Sequence, residues 1–162
     1  MEVMGPSVGS VALGSAVVQQ HLLCRAGSRR YALPIAHVVE TMRPLPVTAV
    51  AGAPPAVLGL AVIRGAPTPV IDLASLVGAA DPEPAGRFVL VTAGARRVAL
   101  AVAEVLGVHS IDRAAFEALP PLLGDAASGA VRAVATLDGE LLAVIDAARL
   151  VPPSAWDLLG AG

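Results

Sequence analysis

The chain has 162 residues, of which 56% are hydrophobic, 15% charged and 2% aromatic, and its formal net charge at pH 7 is −2. This length suits one domain or two small halves that share a core, and the hydrophobic and charged contents favour an ordered fold for most of the chain. The basic residues are scattered, which excludes a basic nucleic-acid interface. No stretch is predicted to span a bilayer, and the N-terminus lacks the basic residues of a signal peptide, so we expect a cytoplasmic protein.

The N-terminal third is predicted to hold two strands and a helix. Residues 1–19 are rich in small residues without a clear period, so we expect a flexible tail. Strands are predicted over His21–Arg25 and Arg30–Leu33. The single cysteine, Cys24, lies in the first of these strands, where a buried and inert thiol is expected. The apolar positions of Ile35–Met42 have helical spacing and predict a short helix.

The central stretch predicts a β-hairpin followed by a short helix. An apolar strand, Leu58–Ile63, reaches a tight turn at Arg64-Gly65, and a second strand ends at Asp72. The prolines of the second strand cannot donate to a ladder, so the strand is expected to be a sheet edge there. Residues Leu73–Val77 have helical spacing, and Asp72 is expected to cap this helix.

The second half of the chain is predicted to follow a similar order of elements. Strands are predicted over Phe88–Thr92 and Arg97–Ala103, a short helix over Asp112–Leu119 and a second hairpin over Ala130–Val144. Asp146 is expected to cap a last helix, in the way that Asp72 caps the first.

Two sets of residues repeat along the chain. The equivalent residues are Gly27 and Gly94, and Arg30 and Arg97, at an offset of 67, then Gly65 and Gly139, and Asp72 and Asp146, at an offset of 74. This duplication predicts a first copy over about residues 20–78, a connector over 79–86, a second copy over about 87–152 and a tail over 153–162. Four or five short strands in each copy predict small barrels in an all-β chain that has a few short helices.

Few residues carry an obvious chemistry. The three histidines are far apart and do not form a metal-ligand pattern. Asp72 and Asp146 could act together as an acid–base pair if they met at a pseudo-twofold axis, so a small enzyme stays an alternative. The hydroxyl residue and glycine that follow a protease-type aspartate are missing after both, which favours capping.

Arg64 lies at a hairpin tip, and its equivalent in the second copy is Asp138. Opposite charges at equivalent tips indicate that the two copies diverged to meet different partners. An exposed turn arginine without a role is the other interpretation, and the sequence pattern alone leaves both open.

Three ordered motifs, RYALPIAHVVETMRP, AGAPPAVLGLAVIRG and PVIDLASLVG, resemble the CheW-like domain family. The likeness continues in the second copy through RFVLVTAGARRVALAVAEVLGV and AVATLDGELLAVIDAARL, and covers about residues 20–152. The resemblance implies two five-stranded SH3-like barrels around a shared core.

The resemblance also implies a function and a site. Family members are non-catalytic adaptors that join a CheA-type histidine kinase to the cytoplasmic tips of methyl-accepting chemoreceptors. No cofactor, metal, nucleic acid or membrane insertion is implied, and the protein would be cytoplasmic and recruited to receptor arrays at the inner face of the membrane. The partner-binding residues implied are Arg64, Val38, Glu40, Ile63 and Gly65.

One position departs from the family pattern. Val62 stands where the family often has asparagine before its Leu-Arg-Gly hairpin. A phosphorelay regulator is a third interpretation, but the chain lacks room for a receiver domain, so only non-covalent regulation would remain.

Overall fold

The computed structural model describes residues 10–13, 16–78, 83–118 and 129–160, and these residues form twelve strands and two α-helices. The elements are β1 (Ser10–Leu13), β2 (Ala16–Ala26), β3 (Arg29–Pro34), β4 (Val38–Met42), β5 (Val57–Ile63), β6 (Ala66–Asp72), α1 (Leu73–Leu76), β7 (Arg87–Ala93), β8 (Arg96–Val102), β9 (Glu104–Asp112), β10 (Phe116–Ala118), β11 (Val131–Leu137), β12 (Glu140–Ile145) and α2 (Pro153–Leu159).

The strands form two sheets, and each sheet curls towards closure. One sheet has the order β4-β7-β8-β6-β5, and the chain after β4 returns to β5, where Thr48 and Leu60 exchange backbone hydrogen bonds of 2.8 and 2.9 Å. The other has the order β1-β2-β3-β12-β11-β10 with β9 also paired to β2, and a 3-10 turn, Arg113–Ala115, joins β9 to β10. The predicted all-β class with two SH3-like barrels and a few short helices is confirmed.

The boundaries of the sheets do not follow the boundaries of the sequence copies. In one sheet, β2 and β3 of the first copy pair with β9 and β12 of the second, and in the other, β4 and β6 of the first copy pair with β7 and β8 of the second. Each sheet therefore contains strands of both copies. The barrels therefore arise from an exchange of strands between the copies.

The duplication is visible in the pairing register itself. Val70 lies opposite Ala99 in the parallel pair β6–β8, and Val144 lies opposite Ala32 in the parallel pair β12–β3. These residues correspond to one another at the offsets of 74 and 67 read in the sequence. Two antiparallel pairs are equivalent in the same way, namely Val38 opposite Val91 and Cys24 opposite Val105. Each of these pairs lies next to a β-bulge. The chain thus repeats its pairing as well as its sequence.

The main hydrophobic core draws on both sheets. It joins Leu22 and Leu33 of one sheet to Ile71, Val89 and Leu100 of the other, and all five side chains are buried. Burying an aliphatic side chain of this size stabilises the fold by about 1.5 to 3 kcal/mol, so a core with few aromatic rings relies on many such contacts. The predicted shared core is confirmed.

Two predicted helices are wrong. Ile35–Met42 is a 3-10 turn, Ile35–His37, followed by strand β4. Strand β4 pairs with β7, and its side chains alternate between half-buried and exposed. A strand forms here because β-branched residues at a sheet edge gain more from ladder hydrogen bonds than from a single helical turn. In the second copy Asp112 caps the 3-10 turn through the amide of Ala114, and β10 follows, while Leu119 lies outside the described residues.

The two predicted tails contain regular structure. Strand β1 and the beginning of β2 lie within residues 1–19, of which residues 1–9, 14 and 15 are outside the described part. Helix α2 lies within residues 153–162 and buries Trp156 and Leu159 against the main core. Other predictions hold: α1 follows Asp72, and β6 pairs with β8 only from Val70 onward, so its proline-containing part is an edge.

Candidate functional site

The turn at the end of β5 is a tight two-residue turn in which both residues are left-handed. Arg64 has a φ of 52° and Gly65 a φ of 79°, which is the conformation of a type I′ hairpin turn. The equivalent turn of the second copy, Asp138 and Gly139, has φ values of 53° and 78°. A positive φ is unusual for arginine. The turn directs the Arg64 side chain to the surface, where 69% of it is exposed.

Arg64 forms a two-point ion pair with Glu40. The Arg64 Nε donates to Glu40 Oε2 at 2.8 Å, and Nη2 donates to Oε1. The hydrogen bonds from Arg64 hold the pKa of the Glu40 carboxyl below its usual value, and the same bonds raise the pKa of Arg64. Glu40 belongs to β4 and Arg64 follows β5, so the pair joins the two terminal strands of the five-stranded sheet.

The other predicted site residues support this pair in different ways. Ile63 is buried in a smaller cluster, and the half-buried Val38 packs against the main core. Gly65 is exposed, and a Cβ there would meet no atom within 4 Å. The structure therefore brings Glu40, Arg64 and Gly65 together at the surface, whereas Val38 and Ile63 hold the strands that carry them.

An exposed apolar edge lies beside the pair, and it comes from terminal strand β5. Val62 has 69% of its surface exposed. Val62 lies opposite Pro67, and in a hairpin with a two-residue turn this is a non-hydrogen-bonded pair. The backbone N–H and C=O of Val62 therefore point away from β6. The backbone N–H and C=O of Leu60, two residues earlier, point the same way and form the hydrogen bonds to Thr48. The sequence motif marked Val62 only as a departure from the family, although the alternation of β5 also predicts its exposure.

The second-copy hairpin carries a different set of contacts. Gly107 stands at the position equivalent to Glu40, so the tip residue Asp138 has no counterpart of the Glu40–Arg64 pair. Instead Arg30 pairs with Glu140 at 2.9 Å and donates to the Leu137 carbonyl at 3.2 Å. The two tips thus present different chemistry, as the opposite charges in the sequence indicated.

Asp72 and Asp146 are each engaged in their own turn. Asp146 accepts from the Ala148 amide at 3.1 Å, which is the predicted cap, although it caps a 3-10 turn. Asp72 lies at the N-cap of α1, but its carboxylate accepts from the Ser75 hydroxyl at 2.7 Å and makes no amide bond. Both carboxylates are therefore held by local structure.

Buried titratable groups lie away from the hairpin. Cys24 is fully buried, which confirms the predicted burial of the thiol, and this burial raises its pKa to about 12. His21 is fully buried, its ring makes an edge contact with Phe116, and burial lowers its pKa. In the described ranges no group of three His, Cys, Asp or Glu residues could hold a metal ion. None of the helices described is both long and apolar enough to cross a membrane.

Comparison with known proteins gives one family and a related structure. The family model of the CheW-like domain matches residues 20–153. The crystal structure of the scaffolding protein TtCheW from Thermoanaerobacter tengcongensis is similar to this chain, with a TM-score of 0.72 and 24% sequence identity. The similarity covers 78% of this chain and 88% of that one. No curated protein sequence matches the chain. At this identity the structural likeness supports the fold alone.

Proposed function

The chain belongs to the CheW-like domain family, and from that premise we propose that it couples methyl-accepting chemoreceptors to a CheA-type histidine kinase. Proteins of this family are non-catalytic adaptors, which confirms the prediction that the chain is not an enzyme. The competing idea of catalysis by Asp72 and Asp146 finds no support in the site, because each carboxylate bonds to its own turn.

The single observation that carries the proposal is the Glu40–Arg64 pair beside an exposed strand edge. Arginine has five N–H donors, and Glu40 occupies two of them. Within the part of the chain that the structure describes, the remaining donors have no acceptor, so they can meet carboxylate or carbonyl oxygens of a partner. Val62 of β5, two residues before Arg64, has an exposed apolar side chain, and its backbone N–H and C=O point away from β6. Such an edge can pair with a partner strand or with the end of a partner barrel.

Arg64, Glu40 and Gly65 are proposed to touch the partner, while Val38 and Ile63 are proposed to act by holding β4 and β5 in place. Individual contacts of this kind are modest, because exposed ion pairs contribute little to binding free energy. Many copies in a receptor array would raise the effective affinity through multivalency. We therefore expect the protein to be cytoplasmic and recruited to arrays at the inner face of the membrane.

The proposal is tested by capture of two purified partners, the regulatory domain of the kinase and the cytoplasmic tip of a receptor. We expect the Arg64→Ala variant to capture at least one of them several-fold less than the native protein. Arg29→Ala is the matched control, since Arg29 is also an exposed hairpin arginine but lies in the other sheet. Unchanged capture of both partners by Arg64→Ala would remove the proposed site.

A further inference from the structure

A cleft opens where strands β6 and β8 diverge, next to the hairpin tip. Its volume is about 330 Å³. One wall is formed by Ala66 to Pro69 of β6, and the other by Ala95 to Arg97 at the start of β8. The rest of the lining is Ile63, Arg64, Leu90 and Trp156.

Proline explains why this cleft exists. The equivalent parallel ladder of the other sheet, β12–β3, extends to Leu142 opposite Arg30, whereas β6–β8 begins only at Val70 opposite Ala99. Pro69 stands at the position equivalent to Ala143, and proline has no N–H to donate across to β8. The ladder therefore starts two residues later than in the second copy, and the strands separate.

The charges around the cleft are unbalanced. Arg64, Arg96 and Arg97 line it, and no carboxylate does so among the described residues. Arg64 is paired with Glu40, but within the described ranges neither Arg96 nor Arg97 has an ion-pair partner. The charge of Arg97 also helps to lower the pKa of Glu40, after the larger effect of the hydrogen bonds from Arg64.

The equivalent position in the other sheet shows what is missing. Arg30 is the counterpart of Arg97, and Arg30 is paired with Glu140 at 2.9 Å. The counterpart of Glu140 is Ala66, which has no charge. Arg97 on β8 therefore lacks the hairpin carboxylate that pairs with its counterpart, Arg30, in the other sheet.

Arg96 is also held in position. Its guanidinium carbon lies 4.5 Å from the ring centroid of Trp156, so the side chain stacks on the tryptophan. A larger cavity of about 710 Å³ also borders this pair, and there Asp157 offsets part of the positive charge of Arg96 and Arg149. The cationic cleft is therefore the better place for an anion.

We propose that the cleft between β6 and β8 binds a carboxylate side chain from an acidic segment of a partner protein, with Arg97 and Arg96 as the donors. Arginine presents paired N–H groups that match a carboxylate, and such charge-assisted hydrogen bonds are stronger than neutral ones. This inference goes beyond the coupling role of Arg64 and does not require it.

The single tryptophan of the chain makes the proposal directly testable. A capped hexaglutamate peptide is titrated into the full chain at low salt while the emission of Trp156 is recorded. We expect a saturable change with hexaglutamate and none with hexaglutamine. Arg97→Ala should raise the dissociation constant about tenfold, in line with the loss of one charge-assisted contact. Arg29→Ala, which removes one positive charge at the first-copy equivalent of Arg96, should change it less than twofold.

A second variant tests the comparison between the copies. Ala66→Glu places a carboxylate at the position of Glu140, and we expect it to pair with Arg97 and to reduce hexaglutamate binding at least as much as Arg97→Ala does. The proposal is overturned if no saturable change occurs, if Arg29→Ala weakens binding as much as Arg97→Ala, or if inorganic phosphate binds as tightly as the peptide. Because no kinase or receptor is present, this result is separate from the capture test of Arg64.

Discussion

Glu40 and Arg64 are 24 residues apart in sequence, yet their side chains join the two terminal strands of one sheet. One strand end contributes the carboxylate and the other contributes the guanidinium from its hairpin tip. The pair therefore links barrel closure to the surface that is proposed to meet a partner.

Exchanging the charges of Glu40 and Arg64 tests whether the pair closes the barrel, contacts the partner, or does both. Glu40→Arg alone places like charges together and should lower the melting temperature by a few degrees, and Arg64→Glu alone should do the same. The double variant should recover most of the thermal stability because the pair is restored in reverse. If Arg64 contacts the partner directly, the double variant should still fail to capture it. Recovery of both stability and capture would show that the pair acts only within the fold.

Gly59 allows the two ends of the same barrel to approach. It has a φ of +143°, and a Cβ there would lie 2.0 Å from the Thr48 carbonyl oxygen. Gly59→Ala is therefore expected to break the Thr48–Leu60 bridge and to lower the free energy of unfolding by more than about 3 kcal/mol. Gly65→Ala is the matched control, because its φ of +79° is unfavourable but its Cβ would meet no neighbour. It should cost only about 1 kcal/mol in urea unfolding. Equal losses in the two variants would contradict this.

Stability is expected to fall as the pH drops through the range in which an unfolded histidine takes up a proton. Burial lowers the pKa of His21 in the folded state, the bond to the Gln19 carbonyl opposes this, and the charge of Arg132 adds to it. The unfolded chain, with a histidine pKa near 6.5, therefore binds more protons than the folded chain below that pH. The contribution of neutral His21 is complete above about pH 6.5 and is lost progressively below it.

The measurement is urea unfolding between pH 5.5 and 7.5. This range lies above the titration of Glu40, whose folded pKa is lowered, so that carboxylate contributes a constant amount. His21→Leu should flatten the dependence on pH, while its absolute stability can move in either direction. An unchanged slope in this variant would show that another group is responsible.

Cys24 is expected to report on global unfolding. It is the only cysteine in the chain, it is fully buried, and its raised pKa of about 12 leaves almost no thiolate at neutral pH. An aromatic disulfide reagent should modify the native protein slowly, and the rate should rise with urea in parallel with the loss of β-structure measured by circular dichroism. Rapid modification in the absence of urea would show local opening of β2.

Local chemistry in the sequence determined the turns, the duplication and the buried thiol. The Arg64-Gly65 and Asp138-Gly139 turns follow from the left-handed conformations that a two-residue hairpin needs, and equivalent residues identify the two copies without any coordinates. The position of α1 and the proline edge of β6 were predicted for the same reason: each depends on residues that are neighbours in sequence. Of the site, Arg64 was singled out by the opposite charges at the equivalent hairpin tips, whereas Glu40 and the partner-binding role of both residues were predicted only through resemblance to a family.

Tertiary structure alone decided which strands share a sheet. Residues 38–42 became a strand because β7, about fifty residues further along, offers its backbone groups, and no local period contains that information. The same holds for the exchange of strands between copies, for the Glu40–Arg64 pair and for the cationic cleft beside Arg97. Each depends on the distance between groups far apart in the chain, and that distance exists only once long-range ladders have formed.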